Sequence, residues 1–330
     1  MQIQSVRRHL LLIFLIFAPF LRAFSATPDI VELQSNATEL FSSLMNALPL
    51  NAVQGLSWSD AYIGQIFSVR PHFGVGVSSG FAVADKDLLN KFFGSFGTST
   101  GDEQFWTLPT ELIEVRLGGI LIPFDLGVKF GMFDDNKLDK WLFSHNYTKK
   151  FMMYGGDIRI ALSKGTGAFP KISLGFGYTH FTGSLTAGLP GQHDFDVAGK
   201  TLSADDAQLE LDWTITTLDL KLQLSKTLFI FTPYLGVGAN FYWTDTGYTL
   251  RSSTLTYSGS DLAADLASLG LEKIIFDATS FSSRFGNQAI LARVFGGFSL
   301  NMWLIKLDFS VFCGLTDYRY GGNVGVRFQL

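Results

Sequence analysis

The chain has a single cysteine, Cys313, in 330 residues, so no internal disulfide can staple it. Charge is scarce, at 16% of residues with a net value of −4, which leaves no basic field for nucleic acid. After the first thirty residues no apolar run reaches the roughly 20 residues that a spanning helix takes. Beyond His9 in the first residues, the other four histidines, His72, His145, His180 and His193, lie far apart without metal-ligand spacing, so neither a metal nor a cofactor is expected.

The first residues differ from the rest. A basic head (Arg7, Arg8), an apolar run over 10–21 interrupted by Pro19, and small residues at Ala23, Ser25 and Ala26 make a secretory signal peptide with cleavage near Ala26. No cysteine follows the run to take a lipid anchor. The expected division is 1–26 signal peptide, 27–69 N-terminal helix and plug segment, and 70–330 transmembrane β-barrel.

Glycine (34) and phenylalanine (32) are abundant, as in an all-β chain rich in turns. About ten later segments alternate with period two. Val75, Val77 and Phe81 oppose Gly74, Gly76 and Gly80; Ile113, Val115 and Leu117 oppose Glu114 and Arg116; Leu126, Val128 and Phe130 oppose Asp125 and Lys129. Ile158 and Ile160 oppose Asp157 and Arg159, and Leu174, Phe176 and Tyr178 oppose Lys171, Gly175 and Gly177. Leu209, Leu211, Trp213 and Ile215 lead to Leu218, Leu220, Leu222 and Leu224 with a change of phase near Thr216 and Thr217, where a β-bulge is expected. The last segments are 234–243, 289–300, 305–313 and 323–330.

Every charge in these segments holds the polar phase. The acids are Glu114, Asp125, Asp157, Glu210, Asp212, Asp219 and Asp308; the bases are Arg116, Lys129, Arg159, Lys171, Lys221, Arg293, Lys306 and Arg327. A soluble sandwich tolerates charge on its wet face, whereas a membrane barrel must keep it off the lipid face, where Lys or Arg at mid-depth costs on the order of 2–4 kcal/mol. Connections also alternate between short (123–124, 165–170, 225–228, 301–303) and long (85–109, 134–150, 185–206, 244–287), as short periplasmic turns and long outer loops do. The expected fold is an antiparallel transmembrane barrel of about 10–12 strands in the outer membrane.

The signal peptide, the ten-residue alternating strands and the terminal strand GGNVGVRFQL resemble the bacterial outer-membrane β-barrel class. That class usually ends on an aromatic residue; here Leu330 is last and Phe328 stands two before it. The helical N-terminus with SWSDAYIGQIF and PHFGVG is similar, over about fifty residues, to spirochaete barrels of the long-chain fatty-acid transporter type. The resemblance implies the barrel assembly machinery and outer-membrane lipid as partners, a monomer, and small hydrophobic or amphipathic solutes as cargo.

Before the strands, Ile30, Leu33, Ala37, Leu40, Leu44 and Leu48 follow a helical period, starting after Thr27-Pro28, with Glu32 and Glu39 opposite. Three placements are open: a plug inside the lumen, a helix across the periplasmic mouth, or a linker. The inward glycines favour the plug, because they clear the wall for a second backbone; tight curvature of a small barrel explains them as well. Residues 57–67 are either a further strand or part of the plug, since both chain ends on one side require an even strand number.

Catalytic signals are thin. Gly97-Thr98-Ser99-Thr100-Gly101 matches a nucleophile elbow but lies in a polar loop rather than between strand and helix. His180 and Ser184 could pair at the outer rim. Loop aromatics Phe92, Phe93, Phe96, Phe105 and Trp106 form a candidate greasy entry site. The expected function is therefore a channel or transporter for small hydrophobic or amphipathic solutes and not an enzyme, the alternative being a closed structural or ligand-binding surface barrel.

Overall fold

The computed structural model of the protein describes residues 28–66, 72–96, 106–120, 122–134, 147–316 and 318–330; the expected signal peptide lies outside them. Twelve strands follow one another: β1 Phe73–Ala84, β2 Trp106–Gly118, β3 Phe124–Asp134, β4 Tyr147–Lys164, β5 Lys171–Val197, β6 Lys200–Ser225, β7 Phe231–Arg251, β8 Thr254–Tyr257, β9 Ile275–Asp277, β10 Ser280–Met302, β11 Ile305–Gly314 and β12 Tyr320–Gln329. Ten of them form a ring of antiparallel neighbours, closed by β1 on β12 from Gly74↔Gln329 to Ala82↔Gly321. The short β8 and β9 pair with β6 and β10 outside the ring. Closure gives every ring strand a hydrogen-bonded neighbour on both sides, which is what lets strands cross a membrane.

The outer wall is apolar where it meets lipid. Val77, Ile113, Val128, Phe176, Leu220, Val237 and Ile290 are all exposed. On β7 this band runs from Phe231 to Trp243, which at 3.3 Å per residue and a 40° tilt is roughly 30 Å, a bilayer core. Phe229 (94% exposed) and Trp303 (89% exposed) stand on the short turns as interfacial anchors. Such a wall around a polar interior is an outer-membrane β-barrel.

Beyond the band the same strands continue into water. β5 and β6 run on to a hairpin tip at Ala198-Gly199, and β7 and β10 stay paired from Leu300↔Phe231 out to Ser280↔Arg251. Much of 185–206 and 244–287 is therefore ladder rather than loop. No bulge occurs at Thr216 and Thr217; β6 keeps register there with both neighbours. Instead the apolar residues change face. Leu218, Leu220, Leu222 and Leu224 point to lipid, whereas Leu209, Leu211, Trp213 and Ile215 point inward and are buried. The change of phase marks the membrane boundary, because above it the outside is wet and the inside holds a core. Glu210 and Asp212 consequently face outward, contrary to the expectation that they line the lumen.

That upper core is organised by helix α1, Ile30–Ala52. Its N-cap is Asp29, whose Oδ1 accepts a hydrogen bond from Val31 N at 2.9 Å, two residues later than the expected start. Ile30, Leu33, Leu40 and Leu44 are buried among inward residues such as Phe195, Leu202, Leu209 and Phe281. Helix α2, Lys86–Gly94, completes the cap with Phe92 and Phe93, and Phe92 meets Phe41 edge-on at 6.2 Å. Phe92, Phe93 and Phe96 are thus cap core and not an entry site; Phe105 lies outside the described residues. Helix α3, Leu262–Ser268, adds Leu266. The acidic face of α1 stays outside, where Glu39 pairs with Lys91 at 3.4 Å.

The direction of threading follows. Asp196 N donates to Pro28 O (3.0 Å) near the outer hairpin tip, so α1 begins at the long-loop end. It descends, residues 53–66 continue through the lumen, and Ile66 N donates to Gly119 O (2.9 Å) beside the short β2–β3 turn. Residues 57–66 are plug and not a strand.

Two outcomes are expected. Unheated protein in SDS should migrate faster than boiled protein, and an unshifted band would contradict the closed ring. A tag at Gly259 or immediately before Pro28 should be labelled on intact cells, and one at Gly167 only after permeabilisation. Protection of the tag before Pro28 would reverse the threading.

Candidate functional site

Residues 53–66 have no ladder of their own, so their backbone polar groups need partners from the wall. The wall supplies them with charged and amide side chains. Lys129 Nζ donates to Ala52 O (2.7 Å) and Gln54 O (2.5 Å). Glu114 accepts from Leu56 N (2.9 Å) and Trp58 Nε1 (2.7 Å), and also from Ser78. Gln223 Nε2 donates to Trp58 O (2.8 Å), Ser225 Oγ accepts from Ala61 N (2.9 Å), and Arg159 Nη1 donates to Asp60 O (2.7 Å).

Asp60 is the centre of the plug. Lys306 reaches its Oδ2 at 2.7 Å, Arg327 the same oxygen at 3.1 Å, and Lys171 its Oδ1 at 3.5 Å. The three bases stand on β11, β12 and β5. Arg327 also lies 4.6 Å from the Trp58 ring and 3.2 Å from Asp308. A second cluster joins Arg116 and Arg159 to Asp125, with Arg116 2.7 Å and Lys221 2.6 Å from Asp157. A third, Arg293 with Asp219 (2.7 Å), is fixed by Asn240 (2.9 Å) and does not touch the plug.

The glycines are placed for this passage. A Cβ on Gly74 would stand 2.7 Å from the Trp58 ring, and one on Gly80 would collide with the Gln54 side chain. Packing is dense: Arg116, Arg159 and Asp125 are 0% exposed and Arg327 is 2% exposed. A void between Trp58, Ser78, Glu114 and Arg327 measures about 10 Å³, room for a single water. Inner-wall charges that water cannot reach mean that the lumen is closed here.

Of the charges expected on the inner wall, Glu114, Arg116, Asp125, Lys129, Asp157, Arg159, Asp219, Lys221, Arg293, Lys306, Asp308 and Arg327 stand there buried or half-buried, most within the first two clusters. Asp212 does not: it pairs outside with Arg284 at 2.5 Å, because β6 is above the membrane at that point. Ile30, Leu33, Leu40 and Leu44 seat the helix in the cap rather than against the basic wall. Asp60 was missed by strand periodicity because it lies on no strand. Its signal is the charge balance: without Glu210 and Asp212 the inner-wall acids are five against eight bases.

The catalytic candidates do not assemble. His180 faces outward with Nδ1 3.0 Å from Thr216 Oγ1, and Ser184 is four residues along the same strand, roughly 13 Å away. The G-x-S-x-G string and His145 lie outside the described residues. Among the described residues no group of three His, Cys, Asp or Glu is placed to hold a metal.

No protein-family model matches the chain, and no curated protein sequence matches it. Solved structures similar to it include the outer-membrane protease OmpT from Escherichia coli, with TM-score 0.38 and 9% identity over 78% of this chain and 97% of that one. The translocator domain of the autotransporter NalP from Neisseria meningitidis also has TM-score 0.38 and 9% identity, over 91% of this chain and 99% of that one. The TodX monoaromatic hydrocarbon channel, in a deletion mutant, has TM-score 0.24 and 9% identity over 78% of this chain and 89% of that one.

Proposed function

We propose that this protein is an outer-membrane barrel shut by its own N-terminal segment, working as a monomer through its outer cap as a surface-binding protein, without covalent chemistry. The observation that carries this reading is the burial of the lumen charges around Asp60, since an open diffusion pore would wet Arg116, Arg159 and Arg327. The apolar core of the cap supports it too: α1, α2 and the extended strands build a rigid outer platform. Outer-membrane lipid and the barrel assembly machinery are its general partners.

A second reading, a gated channel for small hydrophobic or amphipathic solutes, is favoured by the chemistry of the seal. Ion pairs and hydrogen bonds hold residues 53–66, and water can replace these when the segment moves. Kinship with spirochaete barrels of the fatty-acid transporter type is part of this second proposal.

Bilayer recording separates the two. Intact protein is expected to show no stable conductance. Replacing residues 57–63 by Gly and Ser at unchanged length should loosen the lower seal and give brief, unsteady openings and no steady pore, because α1 still fills the upper barrel. Stable or repeatedly gated currents from intact protein would sink the closed reading and favour the second. Asp60→Asn should lower the temperature of heat modification, since three bases lose one buried acid, a loss of about 3 kcal/mol. Deleting α1 instead should destabilise the cap and not simply unplug the barrel, because its apolar stripe is core; an unaltered melting profile would show that the cap does not depend on the helix.

A further inference from the structure

The wall has one weak place on its lipid side. β2 pairs with β1 over its whole length, from Phe73↔Leu117 to Ala84↔Trp106, and β3 pairs with β4 out to Asp134↔Lys150. Between β2 and β3, however, the ladder ends at Ile113↔Phe130. Above that point β2 passes just inside β3: a Cβ on Gly131 would collide with the Glu111 carbonyl. The step leaves an outward-facing groove of about 550 Å³. Val77, Ile113, Phe130, Met132, Val324 and Val326 line it, and Met132 is 67% exposed to the lipid side.

One side chain there breaks the rule that keeps charge off lipid. Glu111 holds the outward phase of β2, two residues before the apolar alternation of Ile113, Val115 and Leu117. Opposite it across the β1–β2 ladder is Ser79, also outward. No hydrogen bond or ion pair to the Glu111 carboxylate occurs among the described residues. The β1–β2 ladder continues beyond it through Phe81↔Pro109 and Val83↔Thr107 to the strand ends, which puts it roughly 10 Å below them. An ionisable group within the apolar band needs a partner of opposite charge.

We propose that this groove holds the hydrocarbon chain of a cationic amphiphile from the surrounding leaflet, its protonated amine paired with Glu111 and hydrogen-bonded to Ser79 Oγ. The apolar lining takes the chain, the unpartnered carboxylate selects the amine over an acid or a neutral head, and the interrupted ladder provides the depth. The site lies outside the plug, so it stands whether or not the lumen opens.

The test uses the full chain in phosphatidylcholine nanodiscs with three photoreactive probes of one chain length: an alkylamine, the matching alcohol and the matching carboxylate. The amine is expected to crosslink to β1–β3 peptides about tenfold more than the carboxylate. In Glu111→Gln, which removes a charge from the lipid face and so should fold, amine labelling should fall to the level of the alcohol. Met132→Trp, which fills the groove and leaves the charge, should lower labelling by all three. Equal labelling by the three probes, or amine labelling unchanged by Glu111→Gln, overturns the proposal.

Discussion

A charge enclosed in protein without water must find an opposite charge, and this requirement governs the lower half of the molecule. The inner wall carries more bases than acids: Asp308 on β11 reaches Arg327, but among the described residues a strand-bound acid for Lys306 and Lys171 is lacking. Asp60, on a chain segment without regular structure, supplies it. The wall returns the service to the backbone: Lys129, Glu114, Gln223 and Arg159 satisfy peptide groups that would otherwise be buried unpaired. Neither part is self-sufficient. The barrel without the segment has uncompensated bases, and the segment without the barrel has unpaired amides.

The upper half obeys a different rule. Above the band the outside of the strands is wet, so the apolar phase turns inward and α1 fills the space it faces. Phe41 shows the consequence, stacking on Phe285 at 4.8 Å and lying 6.3 Å from Tyr248. One strand thus carries two codes in series, and Ile215 and Leu218 on β6, three residues apart, point to opposite surroundings. The outer charges are then ordinary surface pairs, Arg284 with Asp212 and Asp245, and Lys200 with Asp265.

Period two made the ten ring strands legible, since a lipid face admits no charge and Leu, Val and Phe must recur at alternate positions. The same logic misled at Thr216, because a phase change has two physical causes, an extra residue or a change of solvent, and only neighbouring strands in register distinguish them. The helix was legible from Ile30, Leu33, Leu40 and Leu44, but its seat was not: an apolar stripe says that a core exists and not where. Residues 57–66 were opaque for a deeper reason. A segment without periodicity is organised by side chains from β2, β3, β4, β5, β6, β11 and β12, and that convergence is a property of closure rather than of local sequence.

The seal also depends on closure. Residues 28–66 precede β1, yet the chain passes from the outer end to the turn end inside a ring whose last seam is β12 on β1. Of the three bases on Asp60, Lys171 stands on β5, and Lys306 and Arg327 stand on β11 and β12. The ion cluster is therefore complete only in the closed ring. The remaining holds on the segment come from other strands, through Glu114, Lys129, Arg159 and Gln223, and from the apolar packing of α1 against β5, β6 and β7. The same Arg327 that pairs with Asp60 lies over Trp58 and beside Asp308, so one side chain of β12, the strand that closes the ring on β1, also holds the plug and pairs with two buried acids of the lumen.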